Sequence, residues 1–581
     1  MKPVNRPVNR MVRFVLALAT GSALIGGVTA DLVSGTATAS DQPGIQLGAP
    51  SAQAATSGQF QIVAMRRITE AQYRNSIADI FGPDIRVAGR FEPIVRSVHE
   101  LIANGARQAS ISPAGLEQFD AIARVIAGQV FDAAHRDQFV ACQPADAKQA
   151  DAACAAAVLG PLGRLVFRRP LTEAEQAFYV KLAGDSAGPT GSFYKGLELA
   201  LSAMLVSPNF LYVVETAEPD PASPGNLRLD NYSRAARLSY MLWNTAPNAA
   251  LLQAASEGRL TDPAALSAMA THMVNSPRFE QGVRAFFADM LLFEKFDELA
   301  KDPVIYPYFN QDVAKALPEQ TLRTIAGHLL TRGGDYRDLF TTPNSYMTRS
   351  LGALYKVPVH KSQGWEPYTF APGDDRAGLL GQAGFLAMYS HSGRSSPTLR
   401  GRAVRELLMC QPVPNPPGNV NFTAVQDTAN KAMPTARVRL SAHSTDEVCA
   451  GCHKLTDPPG LSLERFDGIG AIRRMENDAP IDAGGIIDGK PFDGALGLGK
   501  TLAASPDTSQ CVAARALQYA TGLDSEAVSP WIEGLNKQFA AGGYGIRALF
   551  LNVATMPETW QVHAAPLDQG TTQISMAGQR R

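Results

Sequence analysis

The segment VCAGCHKLTDPPG, residues 448–460, sets Cys449, Cys452 and His453 in the order C-x-x-C-H. Covalent haem attachment needs two thiols to reach the two vinyl groups on one edge of a porphyrin, and two intervening residues give that reach. The next residue, His453, then falls beneath the iron as the proximal ligand. Small Ala450 and Gly451 let the backbone lie close to a ring. With 6 Cys and 9 His in 581 residues, a chance match is roughly a one-in-a-thousand event. The rival chemistries need more. Structural zinc takes four ligands, and His443 supplies only one further candidate. A thioredoxin-like dithiol opens a helix after a strand, and RLSAHSTDEV before the motif offers no strand.

The other four cysteines are Cys142, Cys154, Cys410 and Cys511, an even number that suits an oxidising compartment. Three pairings exist; Cys142–Cys154 with Cys410–Cys511 is preferred because the first two are close in sequence. The N-terminus agrees with export. A basic leader, MKPVNRPVNRMVR, precedes the apolar FVLALATGSALIGGVTA and a small-residue cleavage site at Ala30, with Ala39 as a second option. No later run is apolar enough to span a bilayer, so no membrane span is expected in the mature chain. This signal is of the general secretory type and directs the chain to the periplasm or beyond, the compartment where haem c is attached.

A formal net charge of −1 gives no general attraction to nucleic acid. GALGLGKT, Gly494–Thr501, matches the phosphate-binding loop pattern but lacks a buried strand before it and a long helix after it, so no ATP site is expected.

Working outward, the rest reads as mainly α-helical and multi-module, with a cytochrome-c-like C-terminal module containing a small β-hairpin. Thr69 with Gln72, and Thr172 with Glu175, form capping boxes, the first backed by a hydrophobic staple of Ile68 and Tyr73. The first helix should stop at Gly82-Pro83 and the second at Gly184. IDAGGIIDGKPFDG should turn at Asp488-Gly489. The expected division is a signal peptide at 1–30, a flexible lead at 31–60, helical modules at 61–135, 136–220 and 221–360, the haem c module at 361–480, a helical module with the hairpin at 481–565, and a disordered tail at 566–581.

The second axial position is open in the sequence. His391, in a Gly/Ser loop, and Met556, far downstream, are the distal candidates. Met475 has little chain in which to cross the ring, and His443 lies too near the motif. Phe466 either packs on haem or is plain core. Arg473 and Arg474 either pair with propionates or form a solvated pair.

Several stretches resemble the planctomycete-type cytochrome c multi-module proteins, a family of secreted bacterial proteins built of uncharacterised domains. They are RITEAQYRNSIADIFG, LGRLVFRRPLTEAE, LVSPNFLYVVE, RLSYMLWNTAP, RSSPTLRGRAVRELLMCQPVPNPPG and AHSTDEVCAGCHKLTDPPGLSLERFDGIG. The resemblance implies one covalent haem c on Cys449 and Cys452 with His453 as iron ligand. Family members often carry Met before the DP of the motif, where this chain has Thr456. An exported monohaem cytochrome acting in electron transfer, with an unidentified redox partner, is the first expectation. A secreted haem oxidase or peroxidase is the alternative, and a protein with a purely structural haem the third.

Overall fold

Helices begin where the sequence supplies caps. Thr69 and Gln72 close a reciprocal capping box at helix Glu70–Phe81, and Gly82 ends it. Ile68 and Tyr73 are both buried in one core. Thr172 and Glu175 make the second box, at helix Glu173–Thr190. Gly184 does not stop that helix, contrary to expectation. The helix runs on to Thr190 and closes at Gly191, a left-handed residue with φ 61°. Packing explains the difference. Helix Phe193–Leu205 lies against it, with Gly196 backed onto the Ala183 carbonyl. Contacts of that kind outweigh the roughly 1 kcal/mol that glycine costs inside a helix.

The computed structural model describes residues 61–376, 378–415, 430–443 and 447–562. The expected signal peptide, flexible lead and tail lie outside the described residues. The described chain is mainly helical, with short antiparallel strands. Strand Gln61–Arg67 pairs with Tyr212–Pro219, which pairs in turn with Leu227–Leu229; Arg67 sits opposite Tyr212 and Met65 opposite Val214. The hairpin forms as expected, Gly484–Ile487 against Lys490–Asp493. Its turn residues Asp488 and Gly489 both have positive φ, as a two-residue hairpin turn requires. GALGLGKT is wound into helix Gly494–Ala503, with Gly499 backed onto the Phe340 carbonyl.

One core gathers the N-terminal helices around Tyr73, Phe119, Leu159, Leu201 and Phe210. The largest core interlocks distant segments: Phe286 packs edge-on against both Tyr519 and Phe550. A third, around Leu317, Leu351 and Phe370, also takes in Ala383 and Ile469. Two disulfides pin the chain, Cys142–Cys154 and Cys410–Cys511, the pairing preferred from the sequence. Among the described residues no helix is long and apolar enough to cross a membrane.

Candidate functional site

The C-x-x-C-H motif lies in helix Glu447–Leu461. Cys449, Cys452 and His453 are related by steps of three and four residues, so they share one side of the helix. Neither thiol joins a disulfide, and both are partly buried. Pro458 and Pro459 fall in the last turn and bring no N–H to the carbonyls of Lys454 and Leu455. Arg405 repairs the second of these gaps: its Nε donates to the Leu455 carbonyl at 3.2 Å.

The motif helix is held by helix Pro397–Ala403, which Ser396 caps by accepting from the Leu399 N–H. The two cross at van der Waals contact of their backbones because glycine stands at both crossing points. A Cβ on Gly401 would overlap the Thr456 carbonyl, and one on Gly460 the Pro397 carbonyl. That approach brings Thr398 Oγ1 to Asp457 Oδ1 at 3.0 Å. Asp457 Oδ2 lies 2.8 Å from His453 Nδ1. A carboxylate there accepts the hydrogen bond of Nδ1–H, which keeps the proton on Nδ1 and leaves Nε2 as the ring's lone-pair donor.

His453 and Cys452 face a cleft of about 650 Å³, within the range of small-molecule and cofactor sites. Pro397, Leu399, Val413, Pro414 and Leu440 give it apolar walls. Its electrostatics come from arginines, most of them already matched. Arg473 pairs with Glu464 at 2.7 Å, Arg439 with Glu476 at 2.5 Å and Arg402 with Glu406 at 2.8 Å. Among the described residues Arg394 has no carboxylate within ion-pair distance. Its guanidinium is pushed down in pKa by burial and by neighbouring Arg439.

Of the expected distal ligands, His391 lines this cleft and Met556 does not. Met556 follows helix Ile546–Thr555 and lines a separate depression beside Trp531. His391 sits at the exposed rim, on a loop fixed by Lys301, whose Nζ donates to the Ser390 and His391 carbonyls at 3.2 and 2.9 Å. Desolvation, Arg394 and Lys301 lower the His391 pKa, which favours the neutral imidazole that a metal requires.

Met475, discounted from the sequence for want of chain in which to cross a ring, lies on the cleft wall, half exposed. Phe466 is fully buried in the main core and does not line the cleft. Arg474 points away to Asp375 at 3.0 Å. His443 ends helix Ala436–His443. The sequence reading missed Asp457 and Arg394; the step of four from His453 to Asp457 was the available signal for the first.

Two thiols outside the disulfides and one imidazole share a helix side beside a partly apolar cleft. Among the described residues no cluster of three or more His, Cys, Asp or Glu could hold a bare metal ion.

Five family models match the chain in order, each described as a protein of unknown function: DUF1587 over residues 66–132, DUF1595 over 154–215, DUF1592 over 229–357, DUF1588 over 376–476 and DUF1585 over 488–558. This is the domain set associated with planctomycete cytochrome c proteins, consistent with the resemblance drawn from the sequence. The DUF1588 match contains the motif helix, the crossing helix and the cleft residues from His391 to Met475. No curated protein and no solved structure matches the chain.

Proposed function

We propose that this protein is an exported monohaem c-type cytochrome acting in electron transfer within an oxidoreductase system. The observation that carries the reading is the juxtaposition of three features. Cys449 and Cys452 stand outside the disulfides, His453 is oriented by Asp457, and Cys452 and His453 face a cofactor-sized cleft. The two thiols would form the thioether links and His453 would bind the iron. Haem held there supplies reversible one-electron exchange between Fe(III) and Fe(II). Arg394 is the cation available for a propionate, in place of Arg473 and Arg474, which already have carboxylate partners. His391 and Met475 line the same cleft and would be the candidates for a second iron ligand. Two disulfides suit an oxidising compartment, in keeping with the leader sequence.

A secreted haem oxidase or peroxidase is the second reading. Polar groups on the cleft wall near His453, among them Ser395, Thr398 and Asn477, favour it, since they could bind a substrate. The test is export from cells competent in cytochrome c maturation. The expected product is red, heavier than the mature polypeptide by one haem, and reducible by a soluble donor; the C449A/C452A double variant is colourless. Colourless wild-type protein refutes both readings. Prompt cyanide or CO binding without denaturant selects the second.

A further inference from the structure

We propose that Asp457 is a positioning residue that holds His453 as the Nδ1–H tautomer and sets a low reduction potential for the bound haem, an inference that rests on the function proposed above. The argument is geometric. Asp457 lies one helical turn beyond His453 and is buried. One of its oxygens meets His453 Nδ1 at 2.8 Å. The other accepts from Thr398 Oγ1 at 3.0 Å and from Thr456 Oγ1 at 3.3 Å. Both oxygens are therefore fixed, one by the imidazole and one by hydroxyls. Among the described residues no arginine or lysine stands within ion-pair distance of Asp457; its ion-pair partner is His453. Of the cleft arginines, Arg402, Arg473 and Arg439 pair with Glu406, Glu464 and Glu476, and Arg394 is not within ion-pair distance of Asp457.

The carboxylate's charge consequently falls on the imidazole. A carboxylate facing Nδ1–H makes the ring a stronger donor through Nε2. A stronger donor, with a negative charge behind it, stabilises Fe(III) over Fe(II) and lowers the potential. A neutral acceptor at the same place would not. Thr398 stands on the crossing helix, so the Gly401–Gly460 contact that brings the two helices together also fixes Asp457.

The test uses the exported haem-loaded protein and measures the midpoint potential by spectroelectrochemical titration. Haem content by mass and thermal midpoint are read in parallel. D457N keeps the shape and an acceptor oxygen but removes the charge. Its potential is expected to rise at least tenfold in the ferrous-to-ferric ratio, about 59 mV for a one-electron couple. T398V keeps the charge but frees one oxygen, and is expected to raise the potential by less. D457E, which restores a carboxylate, should lie nearer wild type than D457N.

A purely structural Asp457 would lower the thermal midpoint without moving the potential. An unchanged potential in haem-loaded D457N overturns the proposal. If D457N fails to take up haem, T398V decides: a potential equal to wild type overturns it. Wild-type protein without haem refutes the proposed function instead, so the two failures are distinguishable.

Discussion

Replacing Gly460 with alanine should cost far more than any propensity argument allows. In an ordinary helix Gly→Ala is favourable by up to about 1 kcal/mol. At Gly460 the new methyl would overlap the Pro397 carbonyl. Backbone cannot swing aside as a side chain can, so the two helices must part by more than roughly 1 Å to reach normal contact. Overpacking of this kind costs about 1–3 kcal/mol, and the upper end applies where the obstacle is backbone. Parting the helices also lengthens the 3.0 Å Thr398–Asp457 hydrogen bond, worth about another 1 kcal/mol. The expected loss is about 3–4 kcal/mol. The control is G534A, in helix Ser525–Ala541, where an added Cβ meets nothing within 4 Å. It should be neutral or stabilising by up to about 1 kcal/mol. Urea denaturation followed by far-ultraviolet circular dichroism compares the two. If G460A and G534A unfold at the same urea concentration, the reasoning about the crossing is wrong.

Two further outcomes follow from the disulfides and the buried carboxylates. Cys410–Cys511 spans 101 residues and Cys142–Cys154 spans 12. Loop entropy then assigns about 4.7 kcal/mol to the first and about 3 kcal/mol to the second. The C410S/C511S double variant should lower the urea midpoint more than C142S/C154S does, and the reverse order would contradict the loop argument. Glu215 is buried in a strand against Arg237, with Nε–Oε1 at 2.9 Å and Nη2–Oε2 at 2.6 Å. Burial acts to raise its pKa, but Arg237, Arg66 and Arg107 outweigh it and hold it below the usual carboxylate value of 4.5. A depressed carboxylate contributes stability above that value and loses it as pH falls through the folded pKa. E215Q should therefore be most costly near neutral pH and progressively less so below about pH 4.5, as followed by urea midpoints across pH. A cost independent of pH would rule out an ionised Glu215.

What was legible in the sequence was what is local. Caps at Thr69 and Thr172 and the turn at Asp488-Gly489 are each written within a few residues. The end of helix Glu173–Thr190 was not, because a neighbour, Phe193–Leu205, decides it through Gly196. Nor was the three-stranded sheet. Its first strand pairs with residues about 150 positions away, and the inward face of Tyr212–Pro219 reads Val213, Glu215, Ala217. A buried glutamate breaks the apolar alternation that marks a strand, and its stabilising partner, Arg237, lies on a later helix. The place of Met475 on the cleft wall was not legible either, because it follows a turn at Asp467, whose carboxylate accepts from the Ile469 and Ala471 N–H groups.

The stretch RSSPTLRGRAVRELLMC, residues 394–410, carried a family resemblance without a stated reason, and the structure supplies one. Nearly every polar or small residue in it does a separate task around the helix that carries Cys449, Cys452 and His453. Ser395 donates to Glu464 at 2.8 Å, Ser396 caps, Pro397 starts the helix, Thr398 fixes Asp457 and Gly401 permits the crossing. Arg400 is fully buried, and its guanidinium donates to the carbonyls of Leu463 and Phe466, both at 2.9 Å, and to Ser390 Oγ at 3.1 Å. It thereby ties the loop preceding His391 to the chain that returns toward Met475. Arg405 satisfies the carbonyl that Pro459 abandons, and Cys410 anchors the far end to Cys511. A buried arginine with so many backbone acceptors cannot be replaced by lysine, whose point charge lacks the planar fork. The residues of this stretch therefore specify a position, that of His453 and Asp457 relative to the cleft, and their chemistry is that of a brace for the site.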